Sequence, residues 1–92
     1  MTQHTQGKWR VTHQTATDCA FDVISNGELV ASCGKTQDKN SRIAANAHLI
    51  AAAPELLEAL RCVLDHTLIG GIQPQKTMEK VQAAINKARG LP

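Results

Sequence analysis

Residues 46 to 60, Asn46-Ala47-His48-Leu49-Ile50-Ala51-Ala52-Ala53-Pro54-Glu55-Leu56-Leu57-Glu58-Ala59-Leu60, limit the folds open to this chain more than any other stretch. Alanines fill one part of a helical repeat and leucines and isoleucines fill the rest, with a single proline in between. Alanine is the best helix former, which accounts for its abundance. Propensity does not account for the large aliphatic residues clustered around it. Small side chains let two backbones approach, so the segment predicts a helix packed tightly against another element, a subunit seam or a planar ligand. Pro54 cannot donate to the carbonyl four residues earlier, and it disfavours helix at Ala53. The chain is therefore expected either to kink or to break there. A break with Pro54 at the first helical position is favoured, because Glu55 then falls in the positive first turn.

Upstream the pattern is that of strands. Lys8 to His13 alternates Trp9 and Val11 with polar residues, as a half-buried strand does. Cys19 to Ser25 and Glu28 to Gly34 flank Asn26-Gly27, a dipeptide that tolerates positive φ at both centres of a two-residue hairpin turn. With Ser25 opposite Glu28, a regular ladder places Val23 against Val30, Phe21 against Ser32 and Ile24 against Leu29. One face then carries Phe21, Val23 and Val30, and the other Ile24, Leu29, Ala31 and Cys33. Both are partly apolar, so each calls for a cover: helices on one side, a second subunit on the other.

The expected fold is α+β, a small antiparallel sheet of about three strands over 8–34 followed by two or three helices. The helices occupy about 41–69, with Ser41 as cap and a break or kink at Pro54, and about 75–89. Gly70-Gly71 supplies the stop between them, and Met78, Val81, Ile85 and Ala88 form the apolar stripe of the last helix. Residues 1–92 make a single domain. A chain of this length has a marginal core. With Trp9 and Phe21 as its only aromatic residues, it has few large groups to bury, which favours a homodimer or higher oligomer.

The opening His4-Thr5-Gln6-Gly7-Lys8-Trp9 and the block from Asn46 to Leu57 together resemble a group of small phage and prophage accessory proteins. These typically begin His-Thr-Pro-Gly-Pro-Trp and later reach Asn-Ala-x-Leu-Ile-Ala-Ala-Ala-Pro-x-Leu-Leu. Gln6 and Lys8 stand here in place of the two prolines. The resemblance spans roughly residues 4 to 64 and implies a phage protein acting in the host cytoplasm, without assigning it an activity.

The chemistry legible in the residues is sparse. His4, His13, His48 and His66 with Cys19, Cys33 and Cys62 contain no close-spaced ligand pair of the zinc type. No nucleophile sits in a recognisable catalytic signature. Cys62 and His66 are one turn apart on an apolar helix flank. No catalytic residue, metal or cofactor is expected, and the chain reads as a binding protein rather than an enzyme. An odd cysteine count fits a reducing compartment, and no apolar run is long enough to span a membrane.

The net charge of +2 is too small to imply nucleic acid. The last 23 residues nevertheless concentrate Lys76, Lys80, Lys87 and Arg89 against Glu79 alone. The expected function is evasion of host antiviral defence by sequestering a small anionic nucleotide signal at a subunit interface. Arg10, Arg42 and Arg61 would clamp phosphate, and Trp9 or Asn46 would contact the base. The other reading is a protein-protein inhibitor of a host or defence complex. A concave basic pocket favours the first and a flat apolar patch favours the second.

Overall fold

A computed structural model describes residues 3–69 and 74–91, with the backbone alone at 66–69. Three strands, β1 (Arg10–Gln14), β2 (Ala20–Ser25) and β3 (Glu28–Lys35), form an antiparallel sheet in the order β1-β2-β3. Three helices follow, α1 (Arg42–Ala51), α2 (Ala53–Ile69) and α3 (Gln75–Ala88). The class is α+β, as the alternation of patterns along the chain requires.

The hairpin turns on Asn26 (φ 53°) and Gly27 (φ 80°), both left-handed, the pair of dihedrals that matches the twist of the flanking strands. Next to the turn the ladder is regular, with Ser25 opposite Glu28 and Ile24 opposite Leu29. Beyond it the register departs from the expected one. Val23 faces Ala31 rather than Val30, Asp22 rather than Phe21 faces Ser32, and Phe21 faces Gly34. Val30 and Cys33 are thus each an extra residue in β3, and eight residues of β3 run beside six of β2. Each bulge reverses the facing of the residues beyond it, so Ala31 joins Val23 instead of the opposite face.

The buried face of the sheet carries Phe21 and Val23. Ala44, Ala47 and Ala51 of α1 close onto it, with Trp9, Val11, Val30, Ala31, Cys33, Ile43 and Ile50 packed around. The alanine stripe is the surface by which α1 approaches the strands. A β-carbon added at Gly34 would come within 3.2 Å of Ile43 Cδ1, so the approach of α1 to β3 is close at this point. His13 stacks on Phe21 with ring centroids 3.8 Å apart, and its Nε2 is 2.7 Å from the Thr36 carbonyl. Ser41 caps α1, its hydroxyl accepting from the Ala44 N–H at 3.2 Å.

The link between α1 and α2 is the single residue Ala52. Its N–H still donates to the His48 carbonyl and its carbonyl already accepts from Leu56, so the backbone bonds continue on both sides of the break. Pro54 falls in the first turn of α2, where its missing N–H has no partner to lose.

Among the described residues, α1 contacts all three strands, whereas α2 and α3 contact α1 and each other but no strand. Glu55 bonds Lys87 at 2.7 Å and Glu58 pairs with Lys80 at 3.5 Å, which sets α2 and α3 antiparallel. This helical hairpin projects from the sheet and stretches the molecule to 52 × 31 × 17 Å. The radius of gyration is 15.3 Å, against about 12 Å for a compact chain of this length. The buried line of α3 is Thr77 and Ala84. Met78 and Ile85, expected to lie inward, stand exposed. The second face of the sheet, with Arg10, Thr12, Asp22, Ile24 and Leu29, has no helix over it among the described residues. The glycine stop at 70–71 lies outside the described residues.

Candidate functional site

Two clefts stand out among the described residues. The larger, about 400 Å³, lies between α2 and α3 and is lined by Pro54, Glu55, Glu58, Lys80, Ala83, Ala84 and Lys87. Its four charges already form the two ion pairs of the hairpin. A charged ligand there would have to displace them.

The second cleft, about 330 Å³, is lined by Lys39, Asn40, Ser41, Ala45, His48, Arg89, Gly90 and Leu91. It joins the start of α1 to the C-terminal end of α3, and its walls come from segments about 40 residues apart in sequence. No carboxylate lines it among the described residues. The nearest in sequence, Asp38, accepts from the Asn40 N–H at 2.9 Å. Neither Lys39 nor Arg89 joins an ion pair among the described residues. The Ser41 hydroxyl is engaged in capping. His48 is half-buried, and Gly90, at φ +76°, lies so close that a β-carbon there would come within 3.0 Å of its Cδ2. The cleft therefore offers two cations outside any ion pair, an imidazole and the amide of Asn40 to an anionic guest.

The five residues expected to bind ligand line neither cleft. Trp9 is half-buried against the core, and its indole N–H donates to the Thr5 carbonyl at 2.9 Å. Arg10 lies in β1 opposite Ile24. Arg42 and Asn46 are exposed and one turn apart on the side of α1 away from its buried alanines. Arg61 is exposed on α2, which touches no strand. Of the five, Arg42 and Asn46 share one face of a helix, and Arg10 and Arg61 lie on other elements.

Lys39, His48 and Arg89 form the cluster that sequence reasoning did not assemble. The concentration of cations after residue 70 is the one signal that pointed toward part of it. Cys19, Cys33 and Cys62 are not joined in disulfides. Burial raises the pKa of the Cys33 thiol, and the charge of Asp22 adds to the effect. Among the described residues no three His, Cys, Asp or Glu side chains gather as a metal site would require, and no helix is long and apolar enough to cross a membrane. The His66 side chain, and with it the Cys62–His66 pair, lies outside the described residues.

The chain is a small α+β protein whose relatives are phage proteins. All of residues 1–92 match the family described as Salmonella phage P22 protein Y8K6, and the protein belongs to that family. No curated protein and no solved structure matches it significantly.

Proposed function

We propose that this phage protein is a non-enzymatic binder that helps evade host antiviral defence by sequestering a small anionic nucleotide signal. The observation that carries the reading is the cleft between α1 and α3, with Lys39 and Arg89 outside any ion pair among the described residues and His48 beside them. Its volume of about 330 Å³ falls at the lower end of the roughly 300–1,000 Å³ of small-molecule sites. Lys39 and Arg89 hold the phosphate, and Asn40 with His48 supplies directional contacts to the remainder. Membership of a phage family agrees with this reading and leaves the ligand open.

A second reading, inhibition of a host or defence complex by surface contact, draws on the exposed leucines of the projecting hairpin. One experiment separates the two. The protein is purified from infected, defence-active cells and heat-denatured, and the released small molecules are identified by mass spectrometry. A nucleotide released in proportion to the protein supports sequestration. A preparation free of nucleotide that retains a host polypeptide before denaturation refutes it in favour of the inhibitor.

A further inference from the structure

One wall of the basic cleft is a single stripe at the start of α1. Ser41, Ala45 and His48 line it, at the spacings of four and three that share one helix face. Each further residue turns about 100° around the axis. Arg42 and Asn46, which follow Ser41 and Ala45, therefore stand at the lip of this wall, on the side away from the buried alanines. They are one turn apart, with β-carbons about 5–6 Å from each other. Leu49, 54% exposed, continues the same stripe. Ala45 separates the stripe from the cleft, and it is exposed and too small to raise a ridge between them.

The charge at this lip is out of place for the helix alone. A cation near a helix N-terminus opposes the macrodipole, yet the first turn of α1 begins with Arg42 and contains no acid. Arg42 joins no ion pair among the described residues. The nearest carboxylate in sequence, Asp38, accepts from the Asn40 N–H instead. An anion bound at the lip offsets both the dipole and the guanidinium.

We infer that the ligand of the cleft is a dinucleotide, its two phosphates held on either side of Ala45. The inference rests on the nucleotide reading and names the class of nucleotide. Lys39 and Arg89 hold one phosphate inside the cleft, and Arg42 holds the other at the lip. The second unit lies along α1 over Ala45 and Leu49, where the Asn46 amide offers a donor and an acceptor to the edge of a base.

Two observations favour two units over one. The cleft, about 330 Å³, is at the lower end of the roughly 300–1,000 Å³ of small-molecule sites, so a larger ligand extends beyond it. Ala45 is the low point of the wall toward open surface. In addition, Arg42 lines no part of the cleft, so a lone phosphate between Lys39 and Arg89 leaves it without a counter-ion. From Arg42 to Leu49 the helix supplies a cation, an amide and an apolar floor within about 10 Å, at 1.5 Å per residue.

The test is calorimetric titration of the full chain with the four ribonucleoside 5′-monophosphates and with the 5′-phosphorylated dinucleotides built from them, linear and cyclic. The tightest dinucleotide binds at least about five-fold better than the tightest mononucleotide, the gain expected from one exposed ion pair. Arg42→Ala removes that advantage and leaves mononucleotide binding unchanged, whereas Lys39→Ala weakens both. Arg42→Ala also relieves the unfavourable cation at the start of α1, so circular dichroism shows a helix at least as stable as before and the loss is not one of folding. Mononucleotides that bind as tightly as any dinucleotide overturn this inference and leave the nucleotide reading standing. An Arg42→Ala protein that keeps the advantage, or that loses affinity for both classes alike, also overturns it. A wild type that binds neither class refutes the two readings together.

Discussion

Ala47 lies at the centre of the contact between α1 and the sheet and is fully buried. Replacing it with leucine separates the two explanations for the alanine-rich helix. If alanine is present only for helix propensity, leucine is nearly as good a helix former. Three added carbons entering available space would then contribute about 0.8 kcal/mol each, roughly 2 kcal/mol of stabilisation. The structure leaves no such space: Ala44, Ala47 and Ala51 are all within 2% of complete burial, and Gly34 and Ile43 define a close approach beside them. Overpacking of this kind costs about 1–3 kcal/mol. In a domain of this size each kcal/mol corresponds to about 4–8 °C in Tm, so Ala47→Leu is expected to lower Tm by about 10 °C. Ala45→Leu, two residues away on the exposed side of the same helix, should stay within about 0.5 kcal/mol of the wild type. Thermal unfolding of both variants at equal protein concentration provides the comparison. Equal tolerance at the two positions, or a more stable Ala47→Leu, would refute the argument that small residues are there to let α1 close on the sheet.

Other consequences can be measured separately. Lys39→Ala and Arg89→Ala should each weaken binding of a nucleotide released from the protein by about 10- to 100-fold in calorimetry, since a hydrogen bond to a charged group is worth about 1.5–3 kcal/mol. Arg10→Ala, remote from the cleft, should leave binding unchanged. Gly27→Ala should cost about 1–2 kcal/mol in chemical denaturation, because φ is +80° while nothing lies within 4 Å of the added carbon, making the penalty purely conformational. Asp18 accepts from the Ala20 N–H at 3.1 Å and lies 3.6 Å from Lys35 Nζ. The backbone hydrogen bond to Ala20 is the main reason its carboxyl titrates below the ordinary range, and Lys35 assists. A depressed carboxylate pKa contributes stability above the unfolded value that is lost as pH falls through the folded one. Carbon-detected NMR titration should therefore place the Asp18 midpoint below that of an unstructured aspartate, and Asp18→Asn should flatten this part of the acid limb. A midpoint at or above the ordinary value would contradict the assignment.

The α+β order and the Asn26-Gly27 turn were legible in the sequence because both rest on local chemistry: alternation, helical spacing and a dipeptide with unusual dihedral freedom. The register was legible only as far as Ile24 opposite Leu29. No residue type announces the bulge at Val30, since valine also suits a regular ladder, whereas Gly34, at φ +124° beside Cys33, is a strand glycine of the kind that marks one. On α3 the apolar stripe of Met78, Val81 and Ile85 was visible, but the side that turns inward was not. Thr77 and Ala84 are buried against the neighbouring helices because they are small, which leaves the larger residues outside. The cleft was beyond reach for a different reason. Lys39, His48 and Arg89 meet only through the closure of α3 on α1, and no spacing rule connects them. Trp9 drew notice as a rare aromatic residue, yet the structure uses it to cover the edge of a core poor in large side chains.

Native mass spectrometry of the protein taken directly from infected, defence-active cells tests the central claim most directly, because it weighs the chain together with its guest. The account predicts a nucleotide-sized adduct in fixed proportion to the chain, lost from the Lys39→Ala/Arg89→Ala protein. A protein that carries no small molecule, or an adduct that survives loss of both cations, would contradict it.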